Sequence, residues 1–462
     1  MKYTKLLSDY VYNLKYDDLP KEVIEQVKHL TLQVLGASLA AYPTSQAQKA
    51  IEISKTQGGK PESTIVGDGC KIPATEAAFV NGTMADILDW EDCSWTGHPS
   101  AGSIPAALSV AEAKKLSGRE YISSVVAGYE VYQRIAMSVQ PSLARIAKVK
   151  SWGLVSWQIY SAVVPAAKLL NLSADKISQA LGVALYQTAI PCNKHANPTI
   201  GKSDVYHYAH GFNARDGIFS AIIAESGIEG MYDALDGEDG YWAQVSDQVD
   251  WEWLTRDLGK KYLIMETLFK HWPANMWIQG PLDALDFLVK ENNIDLSDIK
   301  EITLSPTTDM TMTFDAKGYH GALDAQFSVP YCFAVYLLDH EPKASWFSED
   351  KLNDKKVLEI ASKVKGAGPT VTPFQQFHEF WKGSFPLISV KILLKNGKEY
   401  KKELRFPKGH PRNMMTVEEL KDRFVLQASS ILEPDILYNL IENILNIENI
   451  SDISEVTKLL HK

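Results

Sequence analysis

Cysteine is scarce in this chain. Four stand in 462 residues, Cys70, Cys93, Cys192 and Cys332, widely spaced and with no C-x-x-C pair, a usage that suits reduced thiols in a reducing compartment. Long apolar runs are missing too: none approaches the roughly 18 residues that span a bilayer, so no membrane partner is expected. The opening MKYTKLLSDYVYNLKYDDLPKE mixes acids with bases and has no continuous apolar core, so it does not read as a signal peptide, and the expected location is cytoplasmic. Basic charge is in deficit, with 47 Lys and Arg against 57 Asp and Glu, and the formal charge of -10 argues against nucleic acid as a partner. An anionic small molecule stays open, because a few lysines in a pocket outweigh the net charge locally. Gly237-Glu-Asp-Gly240 lies in a turn-rich stretch without the strand-loop-helix setting of a phosphate loop. What remains is a soluble globular composition, 45% hydrophobic with mean hydropathy -0.16, on a chain long enough for two cored domains.

Helical periodicity fills the first part. Asp18-Leu-Pro-Lys-Glu22 reads as a capped helix start with Pro20 in the first turn, and Val23, Val27, Leu30, Val34 and Leu35 mark its buried stripe. Ser63 to Val66 reads as an extended connector, 73–82 as a small-residue helix, and 120–137 as a further helix. Ser173 is a candidate N-cap, and 207–225, with Phe212, Ile218, Phe219 and Ile222, is another helix. After Lys270 the pattern changes. Ile299 to Leu304 alternates as a strand does, and Leu387 to Lys395 runs into Asn396-Gly397, a hairpin signal because both residues tolerate positive φ. Helices are expected at 281–291 and 324–338, and Thr416-Val-Glu-Glu419 is a capping box from which helices resume. The expected fold is mainly α: a large all-helical domain, discontinuous over 1–264 and 412–462, and a smaller α+β domain over 265–411.

The chemically richest stretch is 81–113, NGTMADILDWEDCSWTGHPSAGSIPAALSVAEA. A helical start carries Met84, Ile87 and Leu88; Asp86, Asp89, Glu91 and Asp92 then crowd into seven residues, and Gly97-His98-Pro99 leads into a second helix. Carboxylates from a helix end and an imidazole from the next loop suit proton transfer. The plainer alternative is solvated acids and a histidine that only caps the following helix. His207-Tyr-Ala-His210 has no Cys, Asp or Glu at a metal-like spacing and reads as ordinary surface or core histidines. Cys93, between acids, is a poor thiolate.

LDWEDCSWTGHPS followed by IPAALSVAEAKKLSGREYISSVVAGYEVYQR resembles the MmgE/PrpD family. ARDGIFSAIIAESGIEG, KHWPANMWIQGPLDAL, DAQFSVPYCFAVYLL and PKGHPRNMMTVEELKDRF extend the resemblance in family order along nearly the whole chain. That family includes 2-methylcitrate dehydratase, cis-aconitate decarboxylase and iminodisuccinate epimerase. The resemblance implies a helical domain with an α/β lid, a homodimer, and proton chemistry beside a carboxylate with no metal or organic cofactor. It places Asp89 and His98 on the family's site aspartate and histidine, His98 as acid/base with Asp89 as its partner, and Lys270 and Gln279 as substrate contacts from the lid.

The departures are as informative. Where one branch has G-W-D-H-V, this chain reads Ser151-Trp152-Gly153-Leu154-Val155 and keeps only the tryptophan. In K-x-x-P-A-E-x-H-x-Q, Asn275 and Trp277 replace the acid and the histidine, and the family lysine falls near Tyr206. Trp152, Trp157, Tyr206, Tyr208, Trp272 and Trp277 are therefore either core rings or the walls of a less cationic pocket; on the second reading Trp152 and Trp277 contact substrate and Tyr206 donates a proton. The expected function is a cofactor-independent lyase or isomerase removing a proton α to a carboxylate or carbonyl, with dehydration, decarboxylation or epimerisation, on a small carboxylic acid less polyanionic than citrate. The competing expectation is a catalytically inactive family member that binds small molecules or acts as a scaffold.

Overall fold

The computed structural model describes residues 2–94, 97–143, 157–188, 201–237, 239–245, 249–307, 311–370 and 387–462. Trp152 with its segment, and Cys192, lie outside them. The chain is mainly helical. Its helical body is built from α1 (Lys2–Asn13), α2 (Lys21–Ala41), α3 (Ser45–Gln57), α4 (Ala74–Asp86), α5 (Pro99–Lys114), α6 (Gly118–Leu143), α7 (Gln158–Leu169), α8 (Ala174–Tyr186) and α9 (Val205–Glu225). Among the described residues no helix is long and apolar enough to cross a membrane.

Local chemistry sets the boundaries. Ser173 accepts from Lys176 N and starts α8, as its position suggests. At α2 the start differs from expectation: Asp18 ends a short 3-10 turn and Pro20 is itself the N-cap, because its fixed φ leads the chain into the helix from outside. Within the body α4, α5, α7 and α9 pack on one another. Small residues allow it. A Cβ on Gly211 of α9 would lie 2.2 Å from Thr83 Oγ1 and 2.3 Å from Phe79 O of α4, so only glycine admits this approach.

The remaining elements are smaller. β1 (Ser63–Thr64) pairs with β2 (Lys71–Ile72), and β3 (Asp92–Cys93) pairs antiparallel with β4 (Leu268–Phe269), far away in the chain. A mixed sheet has the order β6-β5-β7-β8, from β5 (Ile299–Ser305), β6 (Val364–Gly366), β7 (Ile388–Leu394) and β8 (Glu399–Leu404), with only the β5–β6 pair parallel. β7 alternates as a one-face-buried strand should, with Ile388, Val390, Ile392 and Leu394 inside. Its hairpin to β8 uses one left-handed residue, Gly397 at φ 87°, while Asn396 instead accepts from Lys398 N. α10 (Met276–Asn292) covers β7 and β8. It begins before the expected Pro281 because Asn275 caps it through Trp277 N.

The helix expected at 324–338 is two, α11 (Ala322–Gln326) and α12 (Val329–Leu338), because Ser328 leaves helical geometry to accept from Tyr331 N. From the capping box at Thr416 run α13 (Val417–Ala428) and α14 (Pro434–Leu445), which return to pack on α2.

Candidate active site

Asp86 is the last residue of α4, and the chain then turns through Asp89, whose φ of 50° is unusual for a residue with a Cβ. The turn is closed by Asp89 N donating to Asp86 O at 2.8 Å. It sends Asp86 and Asp89 inward before β3 runs alongside β4. That strand pairing sets Lys270, one residue past β4, against the acids, with Lys270 N donating to Glu91 O at 3.2 Å. Gln33 of α2 braces the junction by donating to Trp90 O at 2.6 Å and Lys270 O at 3.0 Å, and Arg423 of α13 also bonds Lys270 O. His98 arrives from the other side as the residue preceding α5, its carbonyl held by Gln158 Nε2 at 2.8 Å.

The side chains converge out of water. Asp86, Asp89, Glu91, His98 and Lys270 are all buried. Lys270 Nζ is paired with Asp89 and lies 2.9 Å from Glu91 Oε1 and 3.4 Å from His98 Nδ1. His98 Nδ1 is bonded to Glu91 and lies 3.3 Å from Asp86 Oδ1. Two histidines that sequence spacing had set aside complete the cluster: His207 Nδ1 is 2.6 Å from Asp86 Oδ2, and His210 Nε2 is 3.6 Å from Asp86 Oδ1. Their spacing of three on α9 puts both on one helical face, a signal readable in advance; their partner lies 121 residues away in the chain and was not.

Burial and charge divide these groups. Burial alone would raise Asp86, but His210, His98 and His207 outweigh it and hold the carboxyl well below its usual range. Burial pushes Glu91 well up, reinforced by Asp86 and Asp89 against the opposing Lys270. Lys270 is held well up, since Asp89 and Glu91 overcome its desolvation. Burial and the Lys270 ammonium lower His98, burial lowers His210 to about 4, and His207 is raised because Asp86 outweighs its burial. Asp89 thus pairs with Lys270 and Asp86 with His207. Asp86, Asp89, Glu91 and His98 bring ligand-type atoms within 4.8 Å of one another, a spacing a divalent cation could use. Lys270 already stands among them, so the cation this donor set accommodates is the ammonium.

The aromatic residues divide between the two expectations. Tyr206 stands at the site, its ring edge-on to His207 at 5.6 Å and to Phe327 at 6.0 Å. Burial, Asp86 and Asp89 push its phenol well up, so it stays protonated. Trp277 joins Cys93, Met276 and Phe327 in an apolar cluster against which Tyr206 packs. Trp272 lies elsewhere, stacked on Trp346 and bonded to Asp283, while Trp157 is fully buried and Tyr208 donates to Gln46 O. Gln279 does not face the acids: Oε1 accepts from Trp272 N, and Nε2 donates to Trp272 O and Ala274 O, so both its ends are engaged with backbone. Cys93 is buried and its thiol is pushed well up by desolvation. A cleft of about 950 Å³, lined by Ile87, Leu88, Lys202, His320 and Phe347, opens beside the turn after α4. Lys202, three residues before α9, lies 3.6 Å from Asp324 of α11 with its ammonium over the Phe327 ring.

Comparison with known proteins gives the same family as the sequence motifs. The MmgE/PrpD N-terminal domain matches residues 5–254 and the MmgE/PrpD C-terminal domain matches residues 272–443. Cis-aconitate decarboxylase of Homo sapiens is 27% identical, over 99% of this chain and 94% of that protein. Cis-aconitate decarboxylase of Aspergillus terreus is 24% identical, over 78% of this chain and 77% of its own length. A cis-aconitate decarboxylase-like protein of Aspergillus oryzae is 24% identical, over 96% of this chain and 94% of its own.

Proposed function

The chain belongs to the MmgE/PrpD family, and from that premise we propose that it is a cofactor-independent lyase acting beside a carboxylate of a small unsaturated acid, with loss of CO2. The observation that carries this reading is the buried Lys270 ammonium, set between Asp89 and Glu91 and 3.4 Å from the His98 ring. Such a group stabilises negative charge that develops on a substrate out of water, where it is worth far more than in solvent. His98, uncharged at neutral pH, can accept or return a proton. CO2 loss is favoured over dehydration or epimerisation because the similar proteins above are cis-aconitate decarboxylases.

The charge balance argues for a substrate with fewer carboxylates than cis-aconitate. Acidic side chains already serve both basic groups, Asp89 and Glu91 at Lys270 and Asp86 at His207, and Tyr206 and Trp277 present apolar surface. Lys202, beside Asp324 at the wall of the cleft, is the cation this reading assigns to one substrate carboxylate. The lid of this reading is 265–411, closing on a helical domain of 1–264 with 412–462. The homodimer of this reading is supported by an apolar stripe on α9, where Phe212, Phe219 and Ile222 are 37%, 50% and 38% exposed.

The test is NMR of the protein in D2O with mono-, di- and tricarboxylic unsaturated acids, following deuterium uptake next to the carboxylate and release of CO2. CO2 release from an acid with one or two carboxylates, reduced at least ~100-fold in His98→Ala, is expected. A wild-type protein that releases nothing and exchanges nothing would sink the lyase reading. The competing binding-protein reading is favoured by Gln279, whose polar ends serve the backbone. It predicts ligand-induced shifts with no exchange in the same spectra.

A further inference from the structure

Within the lyase reading, the least expected feature of the site is one carboxylate serving three imidazoles. Asp86 closes α4, where the terminal helix carbonyls carry partial negative charge, so a buried carboxylate there is doubly disfavoured and needs cationic partners. His207 supplies the closest one. Its Nδ1 lies 2.6 Å from Asp86 Oδ2, while its Nε2 is buried with no hydrogen-bond partner among the described residues. A carboxylate fixing Nδ1 and leaving Nε2 open is the arrangement that presents an imidazole to a reactant. His98 is tied differently. Its Nδ1 meets Glu91, Asp86 and the Lys270 ammonium, which opposes its protonation.

We propose that His207 is a second catalytic imidazole of this site, the proton donor, held by Asp86 as a positioning carboxylate that also touches His98. The groups facing His207 are Asp86 from α4, Asp89 and Glu91 from the segment after it, and Tyr206 and His210 from its own helix. His98 and Lys270 complete the shell. Burial lowers both His98 and His207, but Asp86 more than reverses this at His207 alone, so His207 holds its proton to higher pH than His98. Separation of that kind assigns donor and acceptor.

The step balances. In a β,γ-unsaturated acid the bond to the departing carboxylate breaks, and its electron pair becomes a new C=C bond as CO2 leaves. The pair of the old double bond takes the proton of His207 Nε2 at its far carbon. His207 is left neutral, its Nδ1 proton still on the Asp86 side, and a solvent proton returns to Nε2 once CO2 and the product have left.

The experiment has two readouts on the full chain. Nitrogen-15 imidazole spectra, assigned with His207→Gln and His98→Gln, should show His207 as imidazolium and His98 neutral at pH 7. A neutral His207 overturns the proposal, whether or not any substrate turns over. On the acid that releases CO2, His207→Gln should lower kcat at least 100-fold with KM within threefold; retention of more than a tenth of kcat overturns the donor role. Asp86→Asn should move the alkaline limb of the kcat profile at least one pH unit towards acid, with Asp86→Glu restoring it. An unmoved limb in folded Asp86→Asn overturns the positioning role, and if Asp86→Asn does not fold, His207→Gln and the spectra decide. Absence of turnover in the wild type would be a failure of the lyase reading, and the imidazole spectra would still decide the protonation pattern.

Discussion

Asp92 shows what burial does to a single group. It sits one residue beyond Glu91, accepts from Tyr129 OH at 2.8 Å and from Ser100 Oγ, and is fully enclosed. Desolvation raises its carboxyl from 3.8 to about 7. The sign follows from linkage. Between those two values the folded chain keeps a proton that the unfolded chain has released, so stability falls as pH rises from about 4 to 7 through this group. Asp92→Asn keeps an acceptor for Tyr129 and removes the titration. Denaturant melts from pH 4 to 8 should show the variant with a flatter stability profile and, at pH 8, a gain of about 1 kcal/mol or more. A profile as steep as that of the wild type would mean that Asp92 is not the group responsible. At this scale the sequence was partly legible. Four acids in seven residues marked the place, but which are charged depends on neighbours from α9 and from residue 270.

At the level of elements, α4 and α9 are the pair on which the site depends. One ends in Asp86 and the other carries Tyr206, His207 and His210, so their spacing sets the Asp86–His207 distance of 2.6 Å. Gly211 fixes that spacing, since an added Cβ would strike Thr83 Oγ1 and Phe79 O. Gly211→Ala should push the helices apart at a cost of about 1–3 kcal/mol, the usual range for overpacking, and lose activity beyond what the stability change explains. Thermal melts and the CO2 assay would check both; an unchanged Tm would show that the contact relaxes freely. The helices themselves were legible from periodicity and caps, Ser173 and Thr416 among them. β3, β4 and β6 were not, because two- and three-residue strands carry no alternation to read and exist only through distant partners.

On the scale of the whole molecule, the outward stripe of α9 bears on assembly. Phe212, Phe219 and Ile222 show water an apolar face on the same helix whose inner face holds His207 and His210. In the proposed homodimer this stripe is covered. Phe219→Glu would place a charge within it and should halve the mass measured by light scattering at micromolar protein, with secondary structure retained. A wild type that is already monomeric would refute the assignment of this surface.

The sequence by itself determined the family and the helical class with its smaller sheet, and it singled out the 81–113 stretch on which the proposed function rests. Those depend on local periodicity, capping and contiguous motifs. It placed Asp89, His98 and Lys270 in the site by resemblance, but it could not tell that Gln279 turns to the backbone or that His207 and His210 face Asp86. Only the tertiary structure decided those points. A side chain's role there depends on which distant element takes up its hydrogen bonds and which charges share its low-dielectric surroundings, and both are set when β3 meets β4 and α4 meets α9.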